Sequence, residues 1–136
     1  MRATATWRGR FRSDLTDGRG HAVGVDWPPE DGGEDTGPGA LELCVMSLAG
    51  CVSTIFSAVA TKRKVPYEGL EVDVRAERPR GAPTIATVHG RVTIRSAAPR
   101  KAIETALRIT LEQCPVGVLF DRAGVASTWD LDVVTG

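Results

Sequence analysis

The stretch ALELCVMSLAGCVSTIFSAVA, residues 40–60, decides the fold. It contains no proline and a single charge, Glu42. Pro38 and Gly39 stand before it; Lys62, Arg63 and Lys64 follow, with Pro66 beyond. Proline or glycine suits a helix start, and cations suit the negative end of the helix dipole. A proline past that end stops the helix, because it has no N–H to donate. The spacing predicts one helix over residues 39–64, about 39 Å long. Such a helix is apolar nearly all round, so it must be buried on every side or span a membrane. Ser47, Ser53, Thr54 and Ser57 dilute the run, and no membrane span is expected. A single domain of 136 residues cannot easily surround so long a helix. A partner subunit is expected to cover it, which predicts an obligate homodimer.

Before the helix, residues 3–13 alternate Ala3, Ala5, Trp7, Gly9 and Phe11 with polar residues, the period of a strand. Thr16-Asp17-Gly18 is a turn signal. A second strand follows, with His21, Val23, Val25 and Trp27 on one face, so an N-terminal β-hairpin is expected. Pro28 to Gly39 reads as a loop. After the helix, residues 69–79 form a strand with Leu70, Val72, Val74 and Ala76 inward. Residues 84–96 form another, whose alternation changes phase between Ile85 and Val88 and suggests a bulge. Residues 99–113 carry the stripe Ile103, Ala106, Leu107, Thr110 and Leu111, an amphipathic helix. Pro115 opens a short further helix through Phe120, and 124–134 is the last strand. The expected class is α+β, with a long buried central helix and an antiparallel sheet carrying the second, amphipathic helix, in one domain over 1–136.

The formal net charge is zero, from 17 basic and 17 acidic residues, which leaves no electrostatic footprint for nucleic acid or an anionic membrane. Nothing in the first residues reads as a signal peptide, and three cysteines are too few and too odd a number for a secreted disulfide framework. A reducing cytoplasm is the expected location. The two histidines, His21 and His89, are isolated, no CxxC is present, and no metal site is expected. Glycine-rich nucleotide motifs are absent.

That leaves the cysteines. Cys44 and Cys51 lie seven apart on one predicted helix, about 10 Å along its axis. A disulfide needs Cα atoms within about 7 Å, so the two cannot bridge, and Cys44 is expected in the core. Cys51 sits among small residues in Leu48-Ala49-Gly50-Cys51, which suits either a packed thiol or one that meets a ligand. Cys114 stands at a helix junction before Pro115, either packed in the core or activated. A helix N-terminus there offers free N–H groups and a positive dipole end, which lower a thiol pKa.

The stretch Gly32-Gly33-Glu34-Asp35-Thr36-Gly37-Pro38, followed by Glu42-Leu43 and Leu48-Ala49-Gly50-Cys51, resembles the OsmC/Ohr superfamily of osmotically induced and organic hydroperoxide resistance proteins. Cys114-Pro115-Val116 is similar to the motif around that family's second cysteine. The order of elements agrees over nearly the whole chain. The resemblance implies an OsmC-like fold in an intertwined homodimer with two long helices at its centre. It also implies a two-cysteine peroxidase acting on organic hydroperoxides, with Cys51 peroxidatic and Cys114 resolving. A dithiol, of lipoyl type in the family, would re-reduce it, and no metal, haem or flavin is needed.

The family sets an arginine, held by a glutamate, beside the reactive thiol. In the Ohr branch that arginine follows the first strand, and Gly9-Arg10 is the nearest match, with Arg12 and Arg19 as rivals. In the OsmC branch it comes from the loop before the helix, yet residues 22–62 contain no arginine. Glu42 is the acidic candidate; the Ohr branch has its glutamate one residue earlier, at the position of Leu41. Glu42 equally suits the helix N-terminal dipole. The alternative expectation is an OsmC-like dimer without peroxidase activity that binds a small apolar ligand.

Overall fold

A computed structural model describes residues 1–135. The chain divides into two compact units, Met1–Cys44 and Val45 onward.

The first unit is a three-stranded antiparallel meander, β1 (Thr4–Gly9), β2 (Arg12–Thr16) and β3 (Ala22–Val25), in the order β1-β2-β3. The single strand expected over 3–13 is therefore two strands. Gly9 (φ 122°) and Arg10 (φ 46°) adopt left-handed backbone, and Gly9 pairs with Arg12 across a tight reversal. Alternation of side chains runs through this turn unbroken, which is why periodicity does not reveal it.

After β3, Asp26 organises the loop. Its carboxylate, 2% exposed, accepts the N–H of Trp27 at 2.8 Å and those of Glu34 and Thr36 at 3.2 Å. It also accepts the Thr36 hydroxyl at 2.9 Å. Burial works against the charge, but these hydrogen bonds outweigh it and hold the Asp26 carboxyl below its ordinary range. Phe11 stacks on Trp27 at 4.3 Å.

Helix α1 (Ala40–Arg63) matches the expected span within a residue at each end. Gly39 precedes it, and Glu42 Oε2 accepts the Gly39 N–H at 2.7 Å, half of a capping box. The helix is long and apolar enough to cross a membrane, yet Leu48, Val52, Phe56, Val59 and Ala60 form a buried stripe in a protein core. Within one chain only that stripe is covered; Leu41, Met46, Gly50, Thr54 and Ala58 remain exposed. Cys44, expected in the core, is exposed. It precedes Leu48, where the buried stripe begins.

The rest of the second unit is a sheet β4-β5-β6 with two helices. β4 (Gly69–Glu77) pairs antiparallel with β5 (Thr87–Arg95) in an unbroken register. The bulge expected near Ile85 is absent: Ile85 is buried but precedes the strand, and the change of phase marks where β5 begins. Helices α2 (Arg100–Gln113) and α3 (Pro115–Arg122) then carry the chain to β6 (Ala126–Val134). β6 lies parallel to β5, so the expectation of an antiparallel sheet holds for β4–β5 and is corrected for β5–β6. A crossover through helices returns a strand parallel to its neighbour, where a tight turn would reverse it. Val88, Val92 and Ile94 of β5 and Ile103, Ala106 and Leu107 of α2 join the α1 stripe in one core. Fully burying such a side chain contributes about 1.5–3 kcal/mol. Gly90 completes the inner face of β5 because Trp129, its partner on β6, occupies the space a Cβ would take.

Candidate active site

Cys114 belongs to two helices at once. Its N–H donates to the Thr110 carbonyl at 2.8 Å and closes α2. Its Sγ accepts the Gly117 N–H at 3.3 Å and caps α3, with Pro115 in the first turn. The thiol is thereby fixed from both sides, and it is only 1% exposed. Gly117 packs beside it; a Cβ there would stand 3.5 Å from Sγ, in ordinary van der Waals contact.

Cys51, on α1, is half-buried and packs against the same core. Cys51 lies close enough to Cys114 to influence its titration. Burial foremost, then Cys51, pushes the Cys114 thiol up to about 11. The N–H groups of Gly117 and Val116 pull the other way, as a helix N-terminus should, but they are outweighed. The lowered pKa expected from that helix end is thus corrected; the dipole is present, and desolvation is stronger.

The arginines expected near the thiol lie in the first unit. Arg10 sits at the β1–β2 turn beside Glu34, at 3.7 Å. Arg12 faces Asp14 at 3.8 Å, and Arg19 binds Asp17 at 3.0 Å. Glu42, also in that unit, caps α1.

Beside Cys114 runs an open groove of about 530 Å³, walled by Leu48, Leu111, Phe120 and Trp129. Arg108 lines it, 2.9 Å from Glu112 one helical turn away. Sequence reasoning missed Arg108 and Asp26. The Arg108–Glu112 spacing is a legible helix pair, but its closeness to a cysteine is tertiary. Among the described residues, no three His, Cys, Asp or Glu side chains are grouped to hold a metal ion.

A family model described as OsmC-like protein matches residues 32–130. No curated protein matches the chain. Among solved structures, the chain is similar to an OsmC-like protein from Mycoplasma pneumoniae at 15% identity and TM-score 0.82, covering 98% of this chain and 95% of that one. It is similar to an organic hydroperoxide resistance protein OsmC from Legionella pneumophila at 19% identity and TM-score 0.76, covering 96% and 95%. It is also similar to an organic hydroperoxide resistance protein from Elizabethkingia anophelis at 17% identity and TM-score 0.76, covering 97% and 94%. At these identities the structural likeness shows the fold, α+β with two sheets and three helices. With the family model spanning most of its length, the chain belongs to the OsmC-like protein family.

Proposed function

We propose that the protein is a thiol-dependent reductase of organic hydroperoxides, and the interacting Cys51–Cys114 pair carries that reading. The two thiols have different tasks. Cys114 is almost wholly buried and its pKa is raised, so it is a poor first nucleophile. Cys51 is only half-buried and can be reached. Its thiolate attacks the distal peroxide oxygen; the O–O bond breaks, the alkoxide takes a proton and leaves as alcohol, and Cys51 becomes a sulfenic acid. Cys114 sulfur then attacks the Cys51 sulfur, and water leaves with the sulfenic oxygen and the thiol proton. A dithiol reductant, of lipoyl type in our reading, restores both thiols by exchange and is itself oxidised to a disulfide.

A thiolate at neutral pH needs a cation beside it. We assign that part to Arg10, held in left-handed backbone at its turn, with Glu42 steadying it through its second carboxylate oxygen. The working form in this reading is a homodimer in the cytoplasm. Two observations support the dimer: every buried hydrophobic side chain described belongs to the second unit, and Trp7 in the first unit is 70% exposed. A second copy would cover the first unit and the open face of α1.

The groove beside Cys114 favours a second reading, a dimer that binds a small apolar ligand without peroxidase chemistry. Treating the protein with cumene hydroperoxide and mapping its cysteines by mass spectrometry separates the two. A Cys51–Cys114 disulfide, reversed by dihydrolipoamide, is the expected result. An unmodified Cys51 after excess peroxide would overturn the peroxidase reading in favour of the ligand-binding one.

A further inference from the structure

The groove beside Cys114 is built entirely from the second unit. Leu48 and Val52, from the core stripe of α1, lie deepest in it, at 1% and 0% exposure. Leu111 of α2, Phe120 of α3 and Trp129 of β6 wall it. Trp129 is fixed there by packing, since its ring fills the space beside Gly90. The groove measures about 530 Å³ and its lining is mainly apolar. Small-molecule sites have that character, at about 300–1,000 Å³. A hydrocarbon chain suits it.

Charge on the same lining is unbalanced. It holds three carboxylates, Glu104, Glu112 and Asp121, against one guanidinium, Arg108. Arg108 lies 2.9 Å from Glu112, and Arg100, outside the lining, lies 2.9 Å from Glu104. Those two pairs cancel, and Asp121 is left. Among the described residues its carboxylate makes no hydrogen bond or ion pair. It follows Gly117 by four residues, on the face of α3 that the groove uses. Arg122, next in the chain, stands about 100° round the helix and is not part of the lining. An anionic group in the groove would meet like charge, and a neutral one would gain nothing from it; a cation is the complement.

We propose that this groove binds a cationic amphiphile, a single positive head on a hydrocarbon tail, with the tail among Leu48, Phe120 and Trp129 and the head at Asp121. Peroxide chemistry plays no part in it, so the inference stands or falls apart from the peroxidase reading. The tail supplies most of the affinity, up to about fourfold for each buried methylene. The head supplies selectivity. Two charges about 4 Å apart in a solvated position change an affinity about fivefold at low salt. In molar salt the Debye length falls to about 3 Å and that selectivity fades.

The test compares three ligands that share a tail and differ in the head: octylammonium, octanol and octanoate, titrated into the full-length protein by calorimetry at neutral pH. Octylammonium should bind about fivefold tighter than octanol at low salt, and octanoate about fivefold more weakly. The spread should close in molar salt. Butylammonium keeps the head and halves the tail; it should bind at least about tenfold more weakly than octylammonium, which an acidic surface alone would not produce. Asp121→Asn should bring the three octyl ligands together, and Asp121→Lys should reverse their order. A lysine near the C-terminal end of α3 also suits the helix dipole, so the variant should fold. Ser127→Phe, which fills the groove from an exposed position on β6, should weaken all three. Equal affinities in the wild type, an order unmoved by both Asp121 variants, or no binding by any ligand overturns the inference. If affinity falls as protein concentration rises while sedimentation shows a dimer forming, a second copy occupies the groove and the inference is likewise overturned.

Discussion

In the peroxidase reading, Cys51→Ser should abolish hydroperoxide turnover, by on the order of a thousandfold or more, whereas Cys114→Ser should still complete one round of oxidation and then stall. The asymmetry follows from the burial of the two thiols. Serine cannot form a sulfenic acid, and Cys114, at 1% exposure, cannot replace Cys51 as the first nucleophile. Without Cys114, one equivalent of peroxide is consumed, and Cys51 remains as a sulfenic acid that dimedone traps or further peroxide oxidises. Rapid-mixing kinetics with cumene hydroperoxide, followed by mass spectrometry, read both outcomes. A full single-turnover burst in Cys51→Ser would reverse the assignment. The resolving step also has a pH signature. With its thiol near 11, Cys114 is a thiolate in roughly one molecule in ten thousand at pH 7. Disulfide formation after the burst should therefore quicken about tenfold per pH unit above neutrality. The sign for stability is opposite. A thiol raised in the folded state favours folding below its ordinary value of 9.0, and that contribution is lost as pH climbs towards 11.

The elements legible in the sequence are those punctuated by covalent chemistry. α1 is bracketed by Pro38 and Pro66, with Lys62 and Arg63 at its end, and its bounds follow almost to the residue. Pro115 likewise marks the α2–α3 junction. What was illegible depends on contacts distant in sequence. The reversal at Gly9-Arg10 keeps an even alternation, so two strands read as one. The parallel pairing of β6 depends on where two helices deliver the chain. At Cys114 the sequence exposes the helix end that should lower the thiol pKa; the desolvation that raises it comes from packing. Asp26 gives no signal at all. It is a lone carboxylate after a strand, and only the folded loop shows that the N–H groups of Trp27, Glu34 and Thr36 converge on it.

That loop sets the second large effect: Gly33→Ala should destabilise the protein by about 3 kcal/mol, the upper end of ordinary overpacking. The backbone of Gly33 crosses that of Trp27 so closely that an added Cβ would overlap the Trp27 carbonyl and its Cα. The same carbonyl accepts the Asp35 N–H at 3.0 Å, and the Gly33 N–H donates to Pro28 at 3.1 Å. Relief must therefore come from backbone, and moving backbone here pulls the N–H groups of Glu34 and Thr36 off the buried Asp26 carboxylate. Gly32, one residue earlier, provides the contrast. It is held at φ 89°, and a Cβ there would meet only the edge of the Phe11 ring, at 3.2 Å. Gly32→Ala should thus cost about 1–2 kcal/mol of backbone strain without displacing a main chain. Urea unfolding followed by tryptophan fluorescence tests the ranking, because Trp27 sits in the loop itself. A Gly33→Ala midpoint equal to the wild type, or above that of Gly32→Ala, would show that the loop yields freely. It would also show that the paired glycines of this motif are not there to let two backbones touch.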